Sequence, residues 1–215
     1  MRNPIDRLTR GLPPGLRVTI DWLITILGAI VIVLAVKQWV INPYRIPSSS
    51  MEPTLNCSVP AVGCLAKGGI LDGSDRVLAC RVCYDFESPK RGDIVVFNTP
   101  PLAAERCGTG GVYVKRLIGL PGEVWQEKDG YVYINGKKLN EPYIKPQYRD
   151  HDSYPAEKIP PGQYFMMGDN RQGSCDSRIW GTVPRKDLIG KVVATYWPPS
   201  RISIEAVVDG IGRFL

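Results

Sequence analysis

Val114-Lys115-Arg116-Leu117-Ile118-Gly119-Leu120-Pro121-Gly122 is a branched, apolar stretch carrying two adjacent cations. Its composition reads as a β-strand, and the glycines and proline at its end read as the turn that stops it. Successive side chains on a strand point to opposite faces, so Lys115 and Arg116 cannot share one. One of them faces the side that the sheet buries. Burial penalises the ammonium form and lowers a lysine's pKa, whereas a guanidinium keeps its proton. Lys115 is therefore a candidate general base near neutral pH. The bland alternative is an exposed lysine on an edge strand.

Reading outward from this strand, the chain after Pro43 is a succession of short Val, Ile, Tyr and Phe-rich segments separated by glycine and proline. Strands are expected over 75–84, 93–97, 113–118, 131–134, 163–167 and 190–196, with almost no helical periodicity between them. Asn135-Gly136 predicts a tight hairpin over 131–139, because a type I′ turn needs positive φ at both central positions. Residues 56–73 and 137–161 read as irregular surface excursions. The tail 198–215 supports only a strand or a short helix. The fold class is mainly β.

Toward the N-terminus, Trp22 to Val36 carries no charge, and the apolar stretch widens to Val18–Ile41 if Asp21, Lys37 and Gln38 are tolerated near its ends. About 20 mostly apolar residues suffice to cross a hydrocarbon core. Arg2, Arg7, Arg10 and Arg17 against Asp6 make the preceding segment basic, as cytoplasmic flanks are. The expected organisation is a cytoplasmic segment over 1–17, a transmembrane anchor over 18–41 and an extracytoplasmic β domain over 42–215. A cleaved secretory signal is the alternative, opposed by the length of the run and by the lack of an A-x-A site after it. Much of the formal net charge of +6 thus sits beside the anchor, and no basic cluster interleaved with aromatics remains to suggest nucleic-acid binding.

All six cysteines, Cys57, Cys64, Cys80, Cys83, Cys107 and Cys175, follow the anchor, in a compartment where disulfides persist. Their pairing stays open at this level, although Cys57 and Cys64 could close a small loop. Cys80 and Cys83 have zinc-knuckle spacing, but no histidine lies nearby and the segment reads as a strand. No metal or cofactor is expected.

The usual hydrolase bases are missing. The sole histidine, His151, lies in a polar run, there is no G-x-S-x-G elbow, and no serine has a lysine three positions later. What remains is Pro47-Ser48-Ser49-Ser50-Met51-Glu52-Pro53-Thr54-Leu55, a serine cluster bracketed by prolines just beyond the anchor. Alone it would pass for a juxtamembrane linker. Gly168 to Gly181 packs turn-forming, charged and hydroxyl residues between two strands; Asp169 and Asp176 read as scaffold carboxylates, and the rest as a solvated loop pinned by an Asp-Arg pair.

Taken in order, Ser48–Leu55, Arg91–Phe97, Val114–Gly122 and Gly168–Gly181 resemble the four motif boxes of the bacterial type I signal peptidases, membrane-anchored serine endopeptidases with a Ser-Lys dyad. The resemblance spans the anchor and nearly all of the chain after it. It implies Ser50 as nucleophile, Lys115 as base, Ser48 with the Ser50 backbone N–H as oxyanion hole, and Ser174 as the hydroxyl that orients the lysine. It also implies an antiparallel catalytic sheet with a smaller β insertion at about 121–162. The implied substrates are preproteins with small residues one and three positions before the cut, processed at the outer surface of the plasma membrane. Gln172-Gly173 and the cysteine-bearing insertion after Leu55 depart from the pattern. A cytoplasmic self-cleaving Ser-Lys regulator is disfavoured by the anchor, and a tethered non-enzymatic β-module would leave Ser50 and Lys115 merely structural.

Overall fold

The computed structural model describes residues 13–57, 64, 73–108 and 110–204. It divides into a unit ending at Ile41 and a second beginning at Asn42. In the first unit, helix α1 (Pro14–Ala35) runs on into a π-helical turn over Val36–Val40. Proline near the first helical position has φ preset and no N–H to waste, which explains why the helix begins before the apolar run does. Together the two segments span 27 residues; their most apolar 18-residue window has a mean hydropathy of 2.4, and none of it is buried within the chain. Thr19 and Thr25 return their hydroxyls to the carbonyls of Gly15 and Asp21, which spares an apolar surrounding two unmet donors.

The second unit is built of antiparallel strands. β1 (Ile41–Arg45), β2 (Arg76–Cys80), β3 (Ile94–Asn98) and β4 (Val112–Gly119) come first. β5 (Val124–Lys128), β6 (Tyr131–Ile134), β7 (Lys137–Lys138) and β8 (Tyr154–Lys158) follow. β9 (Gln163–Met167), β10 (Val183–Pro184), β11 (Leu188–Trp197) and β12 (Ser203–Ile204) complete the set. The larger sheet has the order β1-β2-β11-β3-β4-β9-β10 with β12 added to β11, and the smaller one the order β7-β6-β5-β8. Short helices α2 (Cys83–Phe86), α3 (Pro101–Cys107) and α4 (Ser177–Trp180) lie in the connections.

β4 lies inside the sheet, between β3 and β9, with Lys115 opposite Val95 and Leu117 opposite Met166. The exposed edge-strand reading of Lys115 is thereby excluded. Both faces of this part of the sheet are covered. Ile94 and Val96 pack with Ile46, Met51 and Leu55, while Val95 and Phe97 pack with Leu117, Met166 and Trp180. A third cluster joins the two sheets, where the rings of Trp125 and Phe165 stack with centroids 4.2 Å apart. Gly119 is needed there, because a Cβ would drive into Ile159.

The hairpin at Asn135-Gly136 forms as its chemistry dictates, with φ of 51° and 78°. Other expectations need correction. The strand expected over 75–84 stops at Cys80, and Cys83–Phe86 is helical. A strand advances about 3.3 Å per residue, too far for residues three apart to bridge, and the Cys80–Cys83 disulfide with its Cα separation of 5.6 Å requires the chain to fold back. The stretch 137–161 is not wholly irregular, because β8 pairs with β5. Its Pro155 and largely exposed residues hide it in the sequence, and both are tolerated because β8 is an edge strand. β1, β5 and α3 lie outside the segments read individually as strands, although β5 falls within the β insertion implied at about 121–162. Residues 1–12, most of the excursion over 56–73, and 205–215 of the tail lie outside the described residues.

Candidate active site

The serine cluster leaves β1 through Ile46 and turns at Ser49–Met51. The buried side chains of Met51 and Leu55 anchor it, and Ile46 N–H donates to the Asp75 carbonyl at 2.9 Å. Ser50 is buried at the turn, and its Oγ lies 3.2 Å from the Oγ of Ser48. Asn170 docks this turn onto the 168–181 loop: its backbone N–H donates to the Ser50 carbonyl at 3.1 Å and its side-chain amide to the Ser49 carbonyl at 3.2 Å. Gly168 completes the fit, since a Cβ there would collide with Ser174 Oγ and the Ser50 carbonyl oxygen.

Lys115 is only 3% exposed. Its amine lies 5.5 Å from the centre of the Tyr113 ring, and among the described residues it forms no ion pair. Burial pushes its pKa down to about 8; the carboxylates of Asp176 and Asp169 oppose the shift, and Arg178 adds to it. Both carboxylates are committed elsewhere. Arg116 holds Asp169 with Nε at 2.8 Å and Nη2 at 2.7 Å while its plane lies over Tyr143, and Arg178 holds Asp176 with Nε at 2.9 Å and Nη2 at 3.0 Å. Burial alone would raise the Asp176 carboxyl, but Arg178 and the Gly168 N–H bring it below its ordinary value.

Ser48, Ser50 and Lys115 line one cleft of about 520 Å³, together with Ile46, Val112, Val114 and both cysteines of the Cys107–Cys175 bridge. Ser174 adjoins it, with an Oγ that is buried and has no hydrogen-bond partner. The loop bearing Ser174 is not the solvated loop expected from its composition. Asp169, Arg171, Asp176 and Ser177 are buried. Arg171 reaches Glu141 from within the loop and donates to the Gly168 carbonyl at 3.0 Å. Arg178 reaches Asp150, and both arginines approach Glu127 on β5, at 3.7 and 3.6 Å. Burial raises the Glu127 carboxyl to about 7, against the pull of Arg178 and Arg171. Glu127, Glu141, Arg171 and Asn170 are thus site-supporting residues to which the sequence assigned no role. Only the density of paired charges in the loop hinted at them.

His151 is exposed, 3.0 Å from Asp129. The cysteines form Cys57–Cys64, Cys80–Cys83 and Cys107–Cys175, leaving none free. Zinc would need thiolates, which these bonds consume. Nor do the described residues bring three His, Cys, Asp or Glu side chains together in a metal-binding group.

Comparison with known proteins identifies the family. The family described as signal peptidase, peptidase S26, matches residues 19–197. A probable signal peptidase I-2 of Synechocystis is 37% identical over 182 residues, covering 84% of this chain and 74% of its own. Signal peptidase I P of Bacillus subtilis subsp. natto is 36% identical over 192 residues, 85% of this chain and 91% of its own. A solved signal peptidase I from Enterococcus faecalis, 32% identical, covers 49% of this chain and 97% of its own with a TM-score of 0.41. On the match over residues 19–197, the chain belongs to the signal peptidase family S26, a family of serine peptidases.

Proposed function

We propose that the reaction of this serine peptidase, the removal of signal peptides, runs through Ser50 as nucleophile and Lys115 as general base. The observation that carries this reading is a buried lysine, without an ion pair among the described residues, in the same cleft as a buried serine. The neutral amine takes the Ser50 proton as Oγ attacks the scissile carbonyl, and returns it to the leaving amine as the acyl-enzyme forms. Water, activated by the same amine, then releases the product. The Ser48 hydroxyl and the Ser50 backbone N–H stabilise the oxyanion, and the Ser174 hydroxyl, which has no hydrogen-bond partner in the structure, is left to take up the lysine amine and orient it.

The substrate is a preprotein read in extended form, with small side chains one and three residues before the cut. An apolar cleft walled by Ile46, Val112 and Val114 suits such side chains. Pro14–Val40 crosses the plasma membrane with the N-terminus in the cytoplasm and the catalytic unit outside. At about 1.5 Å per residue, the 27-residue helical run covers more than a hydrocarbon core of about 30 Å. Basic flanking residues support this orientation, and three disulfides suit an oxidising compartment.

Preprotein cleavage by the purified chain in detergent tests the dyad. Ser50→Ala and Lys115→Met should each lose about 10⁴-fold or more in kcat, as nucleophile and base knockouts do in other serine peptidases. If both variants cut as fast as the parent, the dyad assignment fails.

A further inference from the structure

Three bridges hold this unit, and they are not equivalent. Cys57–Cys64 and Cys80–Cys83 join residues 7 and 3 positions apart, whereas Cys107–Cys175 joins residues 68 apart. Cys107 and Cys175 both line the cleft that holds Ser50 and Lys115. Cys107 ends α3 in the connection between β3 and β4, and Cys175 directly follows Ser174. The bridge therefore ties the segment that feeds the lysine strand to the loop that carries the buried hydroxyl.

That segment needs tying. Cys107-Gly108-Thr109-Gly110-Gly111 holds three glycines, and Gly108 and Gly111 take φ of 71° and 106°. Glycine loses more conformational freedom on ordering than any other residue, so holding Gly108, Gly110 and Gly111 in place costs more than it would for other residues. Among the described residues α3 is held by Ala103, fully buried in the core, and beyond it the restraints are exposed hydrogen bonds. Thr99 and Gly111 close the base of the connection with exposed hydrogen bonds, and Arg106 donates to the Ile179 carbonyl at 2.8 Å, also exposed. Bonds of this kind contribute little net stability in water. Val112 opens β4, and Lys115 follows within the same strand. On the other side, Ser174 Oγ has no hydrogen bond to fix it, so its place depends on Gly168 and on the backbone that Cys175 anchors.

We infer that the Cys107–Cys175 disulfide is a positioning strap across the cleft, holding the approach to β4 against the Ser174 loop so that Lys115 stays dry and in register with Ser50. The inference rests on the Ser50–Lys115 reading and adds a covalent element to it. With the strap open, the glycine segment moves away and water enters beside the amine. Substrate then binds to a wider cleft, and the acid limb of the rate profile moves toward higher pH, because burial is what lowers this lysine's pKa.

The test compares the full chain in detergent with its C107S/C175S variant, and with C80S/C83S, whose bridge does not line the cleft. Opening the strap should lower kcat/KM for preprotein about 10-fold to 100-fold, the range expected for a misplacement of about 1 Å. It should also shift the acid limb upward in pH, while C80S/C83S keeps the parental limb. Should the strap variant misfold, graded reduction of the parent by dithiothreitol replaces it. The S–S bond is then exchanged for two thiols and the reagent becomes a cyclic disulfide. Peptide mapping of each fraction should show the loss of activity tracking the opening of Cys107–Cys175, with return on reoxidation. Parental kcat/KM and an unmoved limb with that bridge open would overturn the strap. Failure of the dyad itself would be seen separately, as an active Ser50→Ala.

Discussion

The cleft around Lys115 and the charge lattice around Arg171 and Arg178 are two buried regions that treat charge in opposite ways. In the lattice every buried cation has carboxylate partners: Arg171 has Glu141 and Glu127, and Arg178 has Asp176, Asp150 and Glu127. Lys191, the other buried lysine among the described residues, faces Asp93 at 2.8 Å. In the cleft, Lys115 is buried with no such partner among the described residues, and the carboxylates nearest in influence are already held by Arg116 and Arg178. Burial with a partner keeps a charge in place, whereas burial without one favours its loss. Adjacent positions on β4 display both outcomes, with Arg116 locked as scaffold and Lys115 left able to give up its proton.

Breaking the lattice should have the largest effect on folding. Arg171→Met leaves Glu141 with only Arg149 and Glu127 with only Arg178, and should lose about 3 kcal/mol of stability, the lower end for a broken buried pair, measurable by denaturant unfolding. On the cleft side, Ser48→Ala should leave unfolding unchanged and lower kcat about 10²-fold with KM nearly constant, as removing one oxyanion donor does. Equal losses in stability from both variants would erase the distinction between the regions.

The smallest effect sharpens the comparison with its sign. The folded pKa of Lys115 is about 8, against an ordinary 10.5, so the unfolded chain holds more protons between those values and stability rises with pH there. Below about pH 8 the buried ammonium is a full burden. Lys115→Met should therefore unfold at higher temperature than the parent, by a margin worth on the order of 1–3 kcal/mol, and the gap should shrink as pH climbs toward 10.5. A lysine that stabilised the fold at neutral pH would reverse that sign.

Alternation on a strand made Lys115 legible, because a period of two residues forces one of two neighbouring cations inward whatever the rest of the chain does. Asn135-Gly136 was legible for a similar reason, since turn chemistry is local. The lattice was not. Arg171 meets Glu141 across 30 positions and Arg178 meets Asp150 across 28, and such pairings leave no periodic trace in a sequence. Composition then misled, because a loop rich in Asp, Arg and Ser reads as solvated until its partners are known. The strap was equally hidden, since six cysteines name no pairs. β8 escaped because a proline and exposed charges disguise an edge strand.

The pH dependence of kcat/KM for preprotein cleavage tests the central claim most directly, since it reports the free enzyme's essential base. The account predicts a rate that climbs about tenfold per pH unit and levels off near pH 8, where Lys115 becomes neutral. A profile that is flat from mildly acidic to alkaline pH, or one that climbs only toward the ordinary lysine value of 10.5, would contradict it.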